Sequence, residues 1–240
     1  MKYISFVFTL MLFSNFFSQD LQLDKVETKN EKHKNLGFQL EGQLKGMESS
    51  TWLINNKISD KGDEQDYAPG WGTTYGIGIN GYFNSVGLGV EILGGTHKGA
   101  YKGSFLGTDY TSEVQLKQLQ IPILLKLRGE SGGYFEIGPQ FNMISSARYT
   151  YDGMVNDTKD VKSSYQNYTS VVMGFGANVQ LSKSIPLGLI MGMRLNYGFA
   201  DAKGVDAMGF NLSNSIFYPT YQKTMAVSAG LQLGLSYKFN

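Results

Sequence analysis

Residues 187–199, "LGLIMGMRLNYGF", carry a bulky apolar side chain at every odd position: Leu187, Leu189, Met191, Met193, Leu195, Tyr197 and Phe199. The even positions hold Gly188, Gly192, Arg194, Asn196 and Gly198, with Ile190 as the one bulky exception. A period of two marks a β-strand, because successive side chains leave opposite faces of a sheet. A strand in a soluble barrel turns its bulky face inward and its polar face to water. Here the thin face carries an arginine and an asparagine between glycines, so the side that meets water decides the fold.

The same alternation recurs along the chain. Strands are expected at 36–46, 72–83, 86–97, 113–128, 134–146, 168–181, 187–200 and 222–239, which makes eight. No helical period, domain linker or repeat of roughly 20–50 residues interrupts them. The connections alternate strictly in length. Asn84-Ser85, "GESGG" at 129–133 and "SKSIP" at 182–186 are short, whereas 47–71, 98–112, 147–167 and 201–221 are long and polar. All short turns therefore lie at one end and all long loops at the other. That is the asymmetry of a transmembrane barrel with periplasmic turns and extracellular loops. A soluble meander has no physical reason to sort its loops.

Volume decides which face is outside. Leu36, Phe38, Leu40 and Leu44 share a face with their neighbours' Tyr75, Ile77, Ile79 and Phe83, and the later strands repeat the pattern through to Met225–Phe239. The opposite faces hold Glu41, Gln43, Asn80, Glu91, Gln118, Gln120, Lys126, Glu136, Gln140, Asn142, Asn178, Gln180, Arg194, Asn196 and Gln232, with many glycines. An eight-stranded barrel is only wide enough to be filled by side chains or to hold one small ligand. The apolar faces of eight strands do not fit inside it. Turned outward they form a band against lipid. The expected fold is an all-β, eight-stranded antiparallel up-and-down transmembrane β-barrel over 36–240.

Aromatic residues fall at both rims. Phe83, Phe135, Tyr237 and Phe239 lie near the short turns, and Trp71, Tyr75, Tyr168, Tyr197 and Phe199 near the long loops. Such rings favour the lipid headgroup level. Of the inward charges, Lys126 is expected to face Glu136 directly across the hairpin centred on Ser131. Glu41 and Glu91 are expected at a similar height, with Arg194 above them. Buried charges must pair, so these five form an expected lumen charge network and imply no open channel.

The totals agree with an exported β protein. The 240 residues include 21 basic and 20 acidic side chains, so no charge excess steers the chain to nucleic acid. Thirty glycines and thirty Tyr and Phe residues suit closely approaching strands. The absence of cysteine excludes disulfides, thiolate metal sites and a lipidated cysteine anchor. The start, "MKYISFVFTLMLFSNFFSQD", has Lys2, an apolar run from Ile4 to Phe13 and then polar residues. It has the build of a signal peptide over 1–18, with cleavage after Ser18, followed by a polar periplasmic lead over 19–35.

"QLQIPILLKLRGESGGYFEIGPQFNMI" at 118–144 resembles the central hairpin of the PorT-like outer-membrane β-barrel proteins of Bacteroidota. In that family an Ile-Pro-hydrophobic-Leu-Lys strand precedes a strand with Gly-Pro. The ending "GLQLGLSYKFN" resembles the barrel-assembly signal of outer-membrane proteins, although Asn240 follows the aromatic Phe239. The resemblance implies the outer membrane as location and insertion by the barrel-assembly machinery. It also implies contact with outer-membrane lipid and lipopolysaccharide. The named member works in type IX secretion. Pro122 and Pro139 fall nearly opposite each other in this hairpin, and proline cannot donate to a ladder, so a bulge or missing bond is expected there.

Candidates for chemistry are few. The histidines are His33, in the polar lead, and His97, at the top of strand three. Small barrels that act on lipid A use a histidine with a serine and a carboxylate, which makes His97 with Ser104 and Asp109 or Glu113 the candidate set. Their spacing fixes no triad, and a loop histidine is the plainer reading. "GIGING" at 76–81 and "GGYFEIG" at 132–138 lie inside strands, not at a strand-to-helix turn, and are rejected as phosphate loops. Asp60, Asp63, Glu64 and Asp66 have the chemistry to attract calcium, but read better as a solvated acidic loop. No catalytic residue, cofactor or metal is expected. The expected role is a non-enzymatic barrel acting in envelope integrity or surface binding. The alternatives are an accessory subunit of a secretion or transport complex with an envelope protein partner, and a lipid A-modifying enzyme.

Overall fold

A computed structural model of the protein describes residues 37–55, 66–105, 107–152, 157–182, 185–204 and 223–239. The expected signal peptide and polar lead, with His33, Asp60, Asp63 and Glu64, lie outside the described residues. Eight long strands make the wall: β1 (Phe38–Ile54), β3 (Gly70–Phe83), β4 (Val86–Phe105), β5 (Thr108–Arg128), β6 (Gly133–Asp152), β8 (Tyr168–Gln180), β9 (Leu187–Gly198) and β10 (Met225–Phe239). Each pairs antiparallel with the next along the wall, and β10 returns to β1, for example through Gly42↔Tyr237, so the sheet closes in a ring. Closure leaves no edge strand, which a wall in lipid requires. Short strands β2 (Asp66–Ala68) and β7 (Asp157–Asp160) add to the long-loop ends of β4 and β6.

The alternation sorts the wall as the volume argument requires. More than thirty large apolar side chains stand exposed on the outside, among them Tyr75, Ile77, Ile79, Leu88, Leu231 and Leu233. The alternating Glu41, Gln43, Asn80, Glu91, Lys126, Glu136 and Arg194 are buried inside. On β4 the outer apolar band ends at Ile92, beyond which Thr96, Lys98 and Lys102 face out.

The strands run further than the alternation suggests, and this corrects the expected loops. Residues 98–105 and 108–112 are the paired arms of a hairpin in which β4 and β5 stay paired out to Phe105↔Thr108. β1 likewise continues to Ile54 and β6 to Asp152. Beyond the lipid band the wall no longer needs apolar outer residues. The pattern inverts there, and polar outer positions read as loop. Inside these extensions Leu53, Tyr101, Val114, Leu116, Ala147, Tyr149, Val161, Tyr165 and Tyr168 pack into an apolar core.

Two irregularities shape the β5–β6 wall. The register shifts between Lys117 and Gln118: Gln118 faces Ile144 and Lys117 faces Ser146, which leaves Ser145 as an extra residue on β6. This bulge flips the parity of β6, so that even Asn142 and Ile144 point inward below it and odd Ala147 and Tyr149 above it. Around the prolines the β5–β6 register skips from Pro122↔Gln140 to Leu125↔Ile137, and β4–β5 skips from Leu93↔Gln120 to Val90↔Ile123. Both ladders are interrupted beside Pro122, which has no N–H to donate. Gly138 lies in the first gap, where a Cβ would sit 1.9 Å from the Ile123 carbonyl oxygen, so only glycine allows that approach.

Candidate functional site

The lumen is filled in layers. Nearest the short turns, Arg128 stacks over Tyr82, 4.2 Å from its ring centroid, and donates to Gln39 Oε1 at 2.6 Å. Above it, Glu41 accepts from the amides of Gln43 (2.6 Å), Asn80 (3.2 Å) and Asn178 (3.3 Å).

The next layer is an ion network. Register places Lys126 directly opposite Glu136. Lys126 Nζ lies 3.1 Å from Glu91 Oε1 and 3.1 Å from Glu136 Oε2. The Arg194 guanidinium bridges the two carboxylates. Its Nη1 donates to Glu91 Oε2 at 2.9 Å and its Nε to Glu136 Oε1 at 3.0 Å, and Nη2 also bonds to Glu136. Lys45 Nζ completes the group, 2.7 Å from Glu91 Oε1 and 3.6 Å from Glu136 Oε2. All five side chains are at most 5% exposed.

Four of the five charges expected in the lumen thus meet at one place. Glu41 stands one layer away and connects through Gln43, whose Oε1 accepts from Lys126 at 3.3 Å. Arg194 lies level with Glu91, within hydrogen-bond reach, rather than above it. Lys45 was missed. It shares the parity of Glu41 and Gln43, but sits at the edge of the expected first strand. With it, the fully buried lumen charges balance: Lys45, Lys126 and Arg194 against Glu41, Glu91 and Glu136 is three against three, Arg128 being part-exposed near the short turns. A closed lumen cannot hold an uncompensated charge without a large desolvation cost.

Above the ions lies an amide and hydroxyl layer. Asn142 Oδ1 accepts from Gln140 at 2.7 Å and from Gln120 at 3.2 Å, while its Nδ2 donates to Ser170 at 2.9 Å. The apolar core then caps the lumen. It joins side chains from several strands to Tyr165 and Val161, on the connection between β7 and β8. Burial pushes the Tyr165 phenol well above its ordinary value. Tyr168 belongs to this core. Its even position on β8 faces inward, which corrects its expected place in the outer aromatic rim.

The other rim aromatics lie outside. Trp71, Tyr75, Tyr197 and Phe199 are exposed toward the long connections, and Phe83, Tyr237 and Phe239 toward the short turns. Phe135 is half-buried. Tyr237 and Phe239 meet edge to face with centroids 5.2 Å apart.

His97 is buried between two threonines, 3.3 Å from Thr51 Oγ1 and 3.3 Å from Thr74 Oγ1. None of its candidate partners reaches it. Ser104 and Asp109 face each other at the hairpin tip. Seven residues of strand separate Ser104 from His97, roughly 23 Å at about 3.3 Å per residue. Glu113 points outward and pairs with Lys98 at 3.0 Å. Without a serine or a carboxylate at its ring, His97 has no triad geometry. Asp66 opens β2 opposite Lys102. Among the described residues no group of three or more His, Asp or Glu is placed to hold a metal ion.

A family model described as the outer membrane protein beta-barrel domain matches residues 46–204, more than half of the chain. The chain belongs to this family. Three solved structures are similar to this chain at low identity. OprG from Pseudomonas aeruginosa is 16% identical with a TM-score of 0.43, over 88% of this chain and 100% of that one. Neisserial surface protein A is 13% identical with a TM-score of 0.41, over 83% and 97%. The attachment invasion locus protein Ail of Yersinia pestis is 10% identical with a TM-score of 0.41, over 85% and 99%. No curated protein matches the sequence.

Proposed function

We propose that this outer-membrane barrel is a non-enzymatic, closed-lumen protein that acts at its surface, in envelope integrity or in binding through the end that carries the long connections. One observation supports this above all: the lumen is blocked twice, by a buried ion network and by a tyrosine-rich apolar core. Neither layer leaves room for a solute path or displays a nucleophile with its base. In this reading the chain is exported by a signal peptide at 1–18 and inserted by the barrel-assembly machinery. The short turns face the periplasm and the long connections the exterior, and lipid and lipopolysaccharide surround the apolar band.

A second reading rests on the resemblance of 118–144 to the PorT-like barrels of Bacteroidota: an accessory subunit of a type IX-like secretion complex, bound to an envelope protein. One experiment separates the two. A tagged barrel is extracted from its own membranes in mild detergent and pulled down, and a deletion strain is tested for detergent and antibiotic sensitivity. Sensitivity without a stoichiometric partner is expected. A stoichiometric secretion partner, with a normal envelope barrier, transfers support to the second reading.

A further inference from the structure

We infer that a lateral groove in the barrel wall binds one acyl chain of the phosphorylated glycolipid of the outer leaflet, with Lys117 and Arg148 facing its phosphate. The inference rests on the outer-membrane reading above and assigns that reading a specific lipid site.

The groove follows from how the wall is built. The β6–β8 ladder ends at Asn142↔Tyr168. Beyond that point β6 takes the Ser145 bulge and pairs with β7 instead. The segment leading into β8 turns the other way, held by Gln166 N–H on the Ala202 carbonyl at 3.1 Å and Ala200 N–H on the Thr169 carbonyl at 3.3 Å. The wall parts between them into a cavity of about 410 Å³, bordered by Ile121, Phe141, Met143, Asn167, Thr169 and Ala200. That volume falls within the roughly 300–1,000 Å³ of small-ligand sites.

Its occupant follows from its borders. Phe141 and Met143 belong to the exposed apolar band, so the groove opens onto the surface that meets lipid. Left empty, its walls would forfeit their dispersion contacts. An acyl chain fills it without bringing in a polar group. Its upper end is polar: Asn167 Oδ1 accepts from the Ile144 N–H at 2.9 Å. Directly above, Lys117 faces Ser146 and Arg148 faces Gln115 across the β5–β6 ladder, both with exposed outward side chains. Lys98 stands beside them on β4, opposite Gln115. Among the carboxylates nearby, Glu113 is engaged by Lys98 at 3.0 Å, Asp160 lies opposite Arg148 on β7, and Asp201, which follows the groove's Ala200, accepts from the Lys203 and Thr224 N–H groups. Lys98 and Arg148 each have a carboxylate beside them, which leaves Lys117 as the exposed cation above the groove that is open to a phosphate, with Arg148 placed to add a bidentate contact. The groove lies at the long-connection end, hence in the outer leaflet, whose resident anionic lipid is the phosphorylated glycolipid.

The test uses full-length protein extracted from its own outer membrane in mild detergent, with bound lipid counted by native mass spectrometry. The parent protein is expected to retain one lipid A molecule. Thr169→Trp, which fills the groove, and Lys117→Glu, which reverses its nearest charge, are each expected to lower retention by about tenfold. Val179→Trp, on the lipid face of the same strand near the short turns, is expected to leave retention unchanged. All variants must still migrate as folded barrels on unheated gels. Equal retention by the parent protein and by folded Thr169→Trp and Lys117→Glu overturns the site. Retention of a phospholipid in place of lipid A overturns the assigned ligand. Failure of the outer-membrane reading shows separately, as absence of the parent protein from the outer-membrane fraction.

Discussion

Lys126 touches both network carboxylates, yet Arg194 holds them more firmly. Arg194 supplies hydrogen bonds to Glu91 Oε1 (3.2 Å) and Oε2 (2.9 Å) as well as to Glu136 Oε1 (3.0 Å). If Lys126 is removed, Glu91 keeps Lys45 at 2.7 Å, and Glu136 keeps Arg194. Arg194→Ala is therefore expected to destabilise more than Lys126→Ala, toward the roughly 3–5 kcal/mol of a broken buried pair. Either change leaves the six fully buried charges at net −1. Adding Glu136→Gln to Lys126→Ala restores neutrality and should recover part of the loss. Urea unfolding midpoints of the folded barrel in detergent measure all three effects. A double variant no more stable than Lys126→Ala would show that charge balance is not what the network supplies. The parity of β1 already placed Lys45 with Glu41 and Gln43, so this residue was legible in the sequence. The bridging role of Arg194 was not, because it needs the distance across the ring between β4, β6 and β9.

At the scale of the strand, the sequence was legible where lipid imposes a rule and illegible where it stops. Phe83, Ile79 and Leu231 could be assigned outward from alternation alone, because hydrocarbon demands apolar side chains on one parity. Past Ile92 on β4 that demand ends, and Lys98 and Lys102 made a paired hairpin read as loop. The Ser145 bulge hid the core on β6 in the same way, by flipping parity in mid-strand. Deleting Ser145 removes the extra residue and should restore unbroken alternation with Ala147 and Tyr149 still facing inward. The apolar core and the lipid-embedded wall should then both survive. Hydrogen exchange should show protection retained at 147–152 as well as at 133–141. Lost protection at 147–152 in the deletion variant would refute this role for the bulge. The core also carries a pH signature. Burial holds the Tyr101 and Tyr165 phenols above their ordinary value of 10.0, so the folded state favours their neutral form. Their contribution is complete below about pH 10 and is lost as pH rises beyond it. An ultraviolet titration should therefore show a tyrosine fraction that ionises only once the core opens, later than the exposed tyrosines. A single ordinary titration step for all tyrosines would contradict a dry core.

At the scale of the whole molecule, the decisive quantity is interior volume. Eight strands enclose a lumen that side chains alone can fill. Here the filling comes in chemically distinct layers. Arg128 and Tyr82 lie lowest, then the Glu41 amide cradle, the ion network, the Asn142 amide layer and the tyrosine core. An ion crossing the wall from end to end would have to displace Arg194 from two carboxylates and then part an apolar plug. Each is a barrier, and they stand in series. The purified protein in planar bilayers is therefore expected to show no stable, large conductance steps. Loosening one barrier should not suffice: Arg194→Ala opens the network but leaves the core closed, and Tyr101→Ala does the reverse. The two changes combined, if the barrel still forms, should give small and noisy openings that neither gives alone. Steady porin-like steps from the unaltered protein would mean that the layers do not seal the lumen, or that the conducting unit is a wider assembly of several chains.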